Sequence, residues 1–211
     1  VSLVDLTLPM HGPGHPGSVA RLETVTIRKS MTYIATRYDF AYDSMQGTYI
    51  DFPGHVIETD DGTDADNYPL AKLAGVPSAV LHLDRSDGSG SVSAEELQRV
   101  CPSLTGCGAM IVNALGPRRF DDIVERSVWL GTDAVEWICG TGIHLLVSDI
   151  YESQPLHGVF LKLFAARILT VCYPVNLHLL TQPRVRLWAL PMRVPGVNQL
   201  PCRAFAEMTE D

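Results

Sequence analysis

The run Ser44-Met45-Gln46-Gly47-Thr48-Tyr49-Ile50-Asp51-Phe52-Pro53-Gly54-His55 decides how the rest of the chain is read. It places a Gly-Thr pair, a phenol, a carboxylate, a rigid Pro and an imidazole within one short stretch. Along an extended chain, alternation puts Gly47, Tyr49, Asp51 and Pro53 on one side and Gln46, Thr48, Ile50 and Phe52 on the other. Tyr49 and Asp51 then point together into a cleft. Pro53 and Gly54 turn the backbone, so that His55 swings back toward the same place. The same residue types also serve plain structural ends: Asp before a turn bonds backbone, and a lone His is commonly a packed side chain.

The run resembles the H-x-G-T-H-x-D-x-P-x-H signature of the kynurenine formamidase-like cyclase family, which includes bacterial kynurenine formamidase and isatin hydrolase. Gly47, Thr48, Asp51, Pro53 and His55 agree with it. Met45 and Tyr49 stand where the family has its first two histidines. The resemblance continues along nearly the whole chain. His15-Pro16-Gly17 matches an aromatic-Pro-Gly turn, Ser148-Asp149 a Gly-x-Asp segment, Cys172 to Leu177 a Glu-x-x-x-Asn-Leu segment, and Val194 to Ala206 the closing segment. Ala114-Leu115-Gly116 departs from a Thr-Gly-Trp that flanks the site in relatives.

That resemblance implies an α/β fold of the swivelling β/β/α type, one domain over residues 1–211 with a central mixed, partly barrel-like sheet and flanking helices. It also implies ligand positions for two metal ions at Met45, Tyr49, Asp51, His157 and Cys172. A thioether and a phenol are poor ligands for hard or borderline divalent ions at neutral pH. The expectation is therefore no metal cofactor; the alternative is one zinc ion on Asp51, His157 and Cys172, a donor set zinc accepts.

Without the ion, the remaining groups suit proton transfer rather than solvent activation. The candidate catalytic residues are His55, Asp51, Tyr49 and His157: His55 or Asp51 as base or acid, Tyr49 as donor to a carbonyl or enolate oxygen, His157 in support. Gln46, Thr48, His15, Cys172 and Asp149 are candidate substrate contacts. The leading expectation is a metal-independent cyclase doing aldol-type ring closure and dehydration on a polycarbonyl or aromatic small molecule, as in polyketide biosynthesis. The alternatives are a metal-dependent arylformamidase-type hydrolase and a non-catalytic binding protein.

Composition bounds these readings. The 211 residues are 46% hydrophobic and 19% charged, which is globular composition. A net charge of −8 argues against nucleic acid or an anionic membrane surface as partner. No apolar run reaches membrane-span length, and the Val1-Ser2-Leu3-Val4-Asp5 start does not read as a signal peptide. The 5 scattered cysteines fit reduced thiols and a cytoplasmic location. The resemblance further implies a homodimer or homotetramer.

For the elements, strands are expected in Val1–Leu8, Leu22–Ile27, Thr32–Tyr38, Pro77–Leu83, Ala109–Ala114, Ile143–Val147, Ile168–Val171 and Arg186–Leu190. Helices are expected at Tyr68–Leu73, from a Ser93 capping box to Val100, at Asp133–Cys139 and within Pro155–Ala166. The acidic stretch Asp60–Asn67 lacks the later glutamate of an EF-hand and reads as a solvated loop.

Overall fold

In the computed structural model, which describes residues 1–10, 19–28, 31–83, 85, 89–118, 127–153 and 158–208, β1 (Ser2–Asp5) comes first. The strands β2 (Val19–Arg28) and β3 (Met31–Phe40) pair with each other as a long antiparallel hairpin, a two-stranded sheet of their own among the described residues. Next is β4 (Tyr49–Asp51), the middle of the signature run. Then follow β5 (Val76–His82), β6 (Gly90–Val92), α1 (Ala94–Val100), β7 (Ala109–Asn113), β8 (Val128–Leu130), α2 (Thr132–Gly140) and β9 (Leu145–Ser148). The chain continues through α3 (Val159–Ala165), β10 (Leu169–Cys172), β11 (Arg184–Pro191) and β12 (Gln199–Met208).

The main sheet runs β1-β12-β11-β5-β7-β9-β10-β4, and β4 pairs back onto β12. Seven strands thereby close into a mixed barrel, with β1 added outside on β12. The expected α/β fold with a partly barrel-like sheet is what the chain adopts. Parallel pairing of β5, β7, β9 and β10 requires crossovers, and the helices lie on those crossovers. Such strands are covered on both faces and read as continuous apolar runs. Ala109-Met110-Ile111-Val112 in β7 is buried throughout.

Two apolar clusters follow from strand alternation. Ile50, Val80, Ile111, Val147, Val171, Leu187, Leu200 and Ala204 fill the barrel. Ala79, Leu81, Met110, Val112 and Leu146 point outward under Leu97, Ile138 and Leu163 of the three helices. Serine at the start of α1 closes a capping box: Ser93 Oγ accepts from Glu96 N at 3.2 Å, and Glu96 Oε2 accepts from Ser93 N at 3.0 Å.

Several boundaries differ from expectation. The helix sought within Pro155–Ala166 begins only at Val159, because Gly158 sits at φ +67 and a right-handed helix cannot run through it. Glu152 Oε1 accepts from Val159 N at 2.9 Å there. The stretch Tyr68–Leu73 gives one 3-10 turn, Leu70–Lys72. The two short strands β6 and β8 pair in parallel and are too brief to register as a pattern. In the acidic loop, Asp60, Asp61 and Asp64 accept hydrogen bonds from their own backbone at Gly62, Thr63 and Asp66, which is turn chemistry.

Candidate active site

The barrel shuts at β4, which lies between β10 and β12. Three cross-strand rows result: Thr170, Asp51 and Gln199; Val171, Ile50 and Leu200; Cys172, Tyr49 and Pro201. Val171, Ile50 and Leu200 turn into the barrel. The rows on either side turn outward, toward the helices, with facing side chains about 5 Å apart at the Cβ atoms. Alternation thus puts Tyr49 and Asp51 on one face, and the strand pairing supplies their neighbours.

Asp51 is only 2% exposed. Its Oδ2 accepts from Thr170 Oγ1 at 3.0 Å and from Cys172 Sγ at 3.5 Å. Its Oδ1 is buried with no hydrogen-bond partner among the described residues. Burial pushes the carboxyl pKa up, while Gln199, His55, Thr170 and Cys172 pull it back. The Cys172 thiol is held well above its ordinary range by burial and then by Asp51. The Tyr49 phenol rises for the same reasons, burial first, then the proximity of Cys172 and Asp51. Its ring meets Tyr173 edge-on, centroids 5.4 Å apart.

His55 ends a 3-10 turn that Pro53 starts with its fixed φ. His55 N donates to Phe52 O at 2.9 Å, and Thr59 Oγ1 donates to Pro53 O at 2.7 Å. A Cβ at Gly54 would lie 2.7 Å from Asp60 Oδ1 and 2.9 Å from Asn198 Nδ2, so both of those side chains would have to shift. The imidazole is exposed. Its Nε2 lies 3.2 Å from Gln199 Nε2, and Gln199 Oε1 accepts from Ser44 Oγ. Gln199 therefore stands between the buried carboxylate and the exposed imidazole. Nothing in a linear reading marks Gln199; only the register of β12 against β4 brings it to the site.

Other candidates lie elsewhere. The Thr48 hydroxyl is engaged by backbone, donating to Tyr173 O at 2.8 Å and accepting from Leu8 N at 2.7 Å, while the residue itself borders the larger groove described below. Gly47 beside it has φ +67, and a Cβ would lie 2.6 Å from Leu8 O. Gln46 is half-buried, and its Oε1 has no hydrogen-bond partner among the described residues. Asp149 faces the same small cavity as Tyr49, yet its carboxylate is taken by backbone, accepting from Ala114 N at 2.9 Å and Leu115 N at 2.9 Å. Burial nonetheless pushes its pKa up to about 7. His15 and His157 lie outside the described residues.

The cavity in front of Tyr49 and Cys172 measures about 60 Å³ and is walled by Tyr151, Glu152, Phe160 and Tyr173. That is room for about two waters. Sequence reasoning does not single out Tyr151 and Glu152, which come together here from the segment after β9. Tyr151 OH lies 2.9 Å from Val171 O and 3.0 Å from Leu146 O, anchoring this wall to the sheet. A larger apolar groove of about 660 Å³ opens among Leu8, Met10, Phe40, Tyr42, Leu190 and Met192, and Asp51, His55 and Gln199 do not line it.

The described side chains at the ligand positions do not suit a divalent ion. Met45 is 52% exposed. Cys172 and Tyr49 are both buried and hold their protons without an ion, and a metal would have to displace both protons to bind there. Among the described residues no three His, Cys, Asp or Glu side chains are grouped to hold one.

The fold is shared with solved structures of low identity. A predicted metal-dependent hydrolase from Bacillus stearothermophilus aligns with a TM-score of 0.66 at 21% identity, over 97% of this chain and 97% of that one. Isatin hydrolase A from Labrenzia aggregata, bound to benzyl benzoate, gives 0.73 at 16% identity over 99% and 94%. Isatin hydrolase A from Ralstonia solanacearum gives 0.69 at 18% over 97% and 91%. No curated protein matches the sequence. The sequence itself matches the family described as "Putative cyclase" across residues 4–153, most of its length, and the chain belongs to that family.

Proposed function

We propose that this chain is a metal-independent enzyme that moves protons on a polycarbonyl or aromatic small molecule, in the manner of an aldol-type cyclase. The observation that carries the reading is the line from exposed His55 through Gln199 to buried Asp51. Ring closure needs a proton removed from the carbon beside one carbonyl. The resulting enolate attacks a second carbonyl, the new alkoxide takes a proton, and water leaves. His55, open to solvent, exchanges protons with the substrate, and the buried Asp51 carboxyl lies behind Gln199 as its polar support. Tyr49, kept protonated by burial, donates a hydrogen bond on the cavity side. His157 and His15 are the remaining candidates for contact with the substrate. The free cysteines fit a reducing, cytoplasmic setting. Exposed Ile34 and Phe40 on the β2–β3 hairpin fit a homodimer or homotetramer.

The test is turnover of a panel of aromatic polycarbonyl compounds by purified protein before and after chelation. Activity is expected to survive chelator, and His55→Ala to lose about 100-fold or more with unchanged circular dichroism. Full activity in His55→Ala, or a chelator loss that added metal restores, overturns the proposal and leaves hydrolysis of an amide or lactone as the reading to pursue.

A further inference from the structure

We infer that Gln199 is a positioning residue that decides which nitrogen of His55 carries the proton, keeping the neutral imidazole as the Nδ1–H form with that N–H turned to the substrate. The inference rests on the His55-centred reading above and adds to it the direction in which the imidazole first acts.

An amide has two unlike ends, and the surroundings of Gln199 tell them apart. Ser44 Oγ donates to Oε1, but a hydroxyl serves either end of an amide, so the choice is made on the side of Asp51. The nitrogen end faces His55 Nε2 at 3.2 Å. An amide nitrogen only donates, so Nε2 must be the accepting, unprotonated nitrogen, and the single proton of the neutral ring sits on Nδ1. The reverse amide orientation meets a physical obstacle. Gln199 is the register partner of Asp51, on the same outward face, and is itself 8% exposed. Turning Oε1 inward would set an acceptor against a buried carboxylate whose Oδ1 already lacks a donor. With the nitrogen inward, Gln199 eases the carboxylate, offsetting part of the rise that burial imposes.

The consequence is directional. The Nε2 lone pair is engaged by Gln199, so the group His55 offers to a bound carbonyl is the Nδ1–H donor. His55 therefore acts first by polarising the carbonyl oxygen with a hydrogen bond from that N–H, filling the role that a Lewis acid plays elsewhere. Ser44, Gln199 and His55 form one hydrogen-bonded line whose orientation is set on its buried side by Asp51.

Long-range 1H–15N correlation spectra of the full-length, 15N-labelled chain, at a pH where His55 is neutral, read this without any substrate. The His55 signals are assigned by their loss in His55→Gln. The wild type is expected to show protonated Nδ1 and bare Nε2. In Gln199→Glu the carboxylate accepts instead of donating, and the proton is expected to move to Nε2. Asp51→Asn, which replaces the orienting carboxylate by an amide that both donates and accepts, is expected to weaken the Nδ1–H preference and covers the case in which the Glu variant does not fold. A wild type with Nε2–H, or a tautomer unmoved in both variants, overturns the inference. An Nδ1–H wild type that responds as expected, together with full turnover in His55→Ala, leaves the inference standing and removes the acid–base reading alone.

Discussion

One residue of displacement along the same three strands separates two very different rows. Val171, Ile50 and Leu200 face into the barrel and are uniformly apolar, and Ile50 is wholly buried. Thr170, Asp51 and Gln199, the next row, face outward and hold a carboxylate with one unsatisfied oxygen. The backbone ladder is common to both. The inner row contributes burial, which is non-directional and roughly proportional to area. The outer row holds groups whose worth depends on donors and acceptors meeting at the right atoms. Stability and chemistry are thus assigned to opposite faces of one seam, and substitutions on the two faces should behave differently.

The sharpest contrast comes from the inner face. Ile50→Ala is expected to cost about 2–5 kcal/mol, because the packed barrel cannot collapse around the void, and urea denaturation at neutral pH measures it. A loss under about 1 kcal/mol would mean that the seam is not part of the core. The next effect lies at Asp149, on the outward side, whose carboxyl is raised by burial to about 7. Its folded pKa exceeds the unfolded value near 4, so the folded state binds more protons between the two. Wild-type stability relative to Asp149→Asn should therefore fall as pH climbs from about 4 to about 7, by at most about 1.4 kcal/mol per pH unit, and level off above. Denaturation curves at pH 5, 6, 7 and 8 give the slope; a slope of the opposite sign would show that the backbone donors of Ala114 and Leu115 outweigh burial.

The smallest expected effect is at Asp51 itself. Asp51→Asn should change stability at pH 5 by under about 1 kcal/mol, since among the described residues only Oδ2 is hydrogen-bonded. Burial raises this carboxyl too, so the variant should gain on the wild type as pH rises above the unfolded carboxylate value, while turnover drops. A loss as large as that of Ile50→Ala would erase the distinction between the rows.

How much of this is legible in the sequence depends on the range of the interaction. Period-two alternation is local, so the common face of Tyr49 and Asp51 follows from the run alone. The buried runs around Val80 and Ile111 and the Ser93–Glu96 box are equally local. Gln199 is not local: its place beside Asp51 comes from antiparallel pairing between distant segments, and nothing near it announces a role. Thr48 misleads for a related reason. Its hydroxyl looks available until Leu8 and Tyr173 arrive from elsewhere to occupy it. The helix boundary at Val159 depends on the left-handed Gly158, whose conformation the apolar pattern of the neighbouring residues does not reveal.

Because β4 is three residues long and hydrogen-bonded on both edges, it works as a keystone. Asp51 meets Thr170 across 119 positions of chain, and His55 meets Gln199 across 144. Contacts of such span form late, after shorter loops have closed. A folding intermediate can own every helix and most of the sheet and still be chemically blank, and the first flicker of activity in refolding would mark the moment the ring locks.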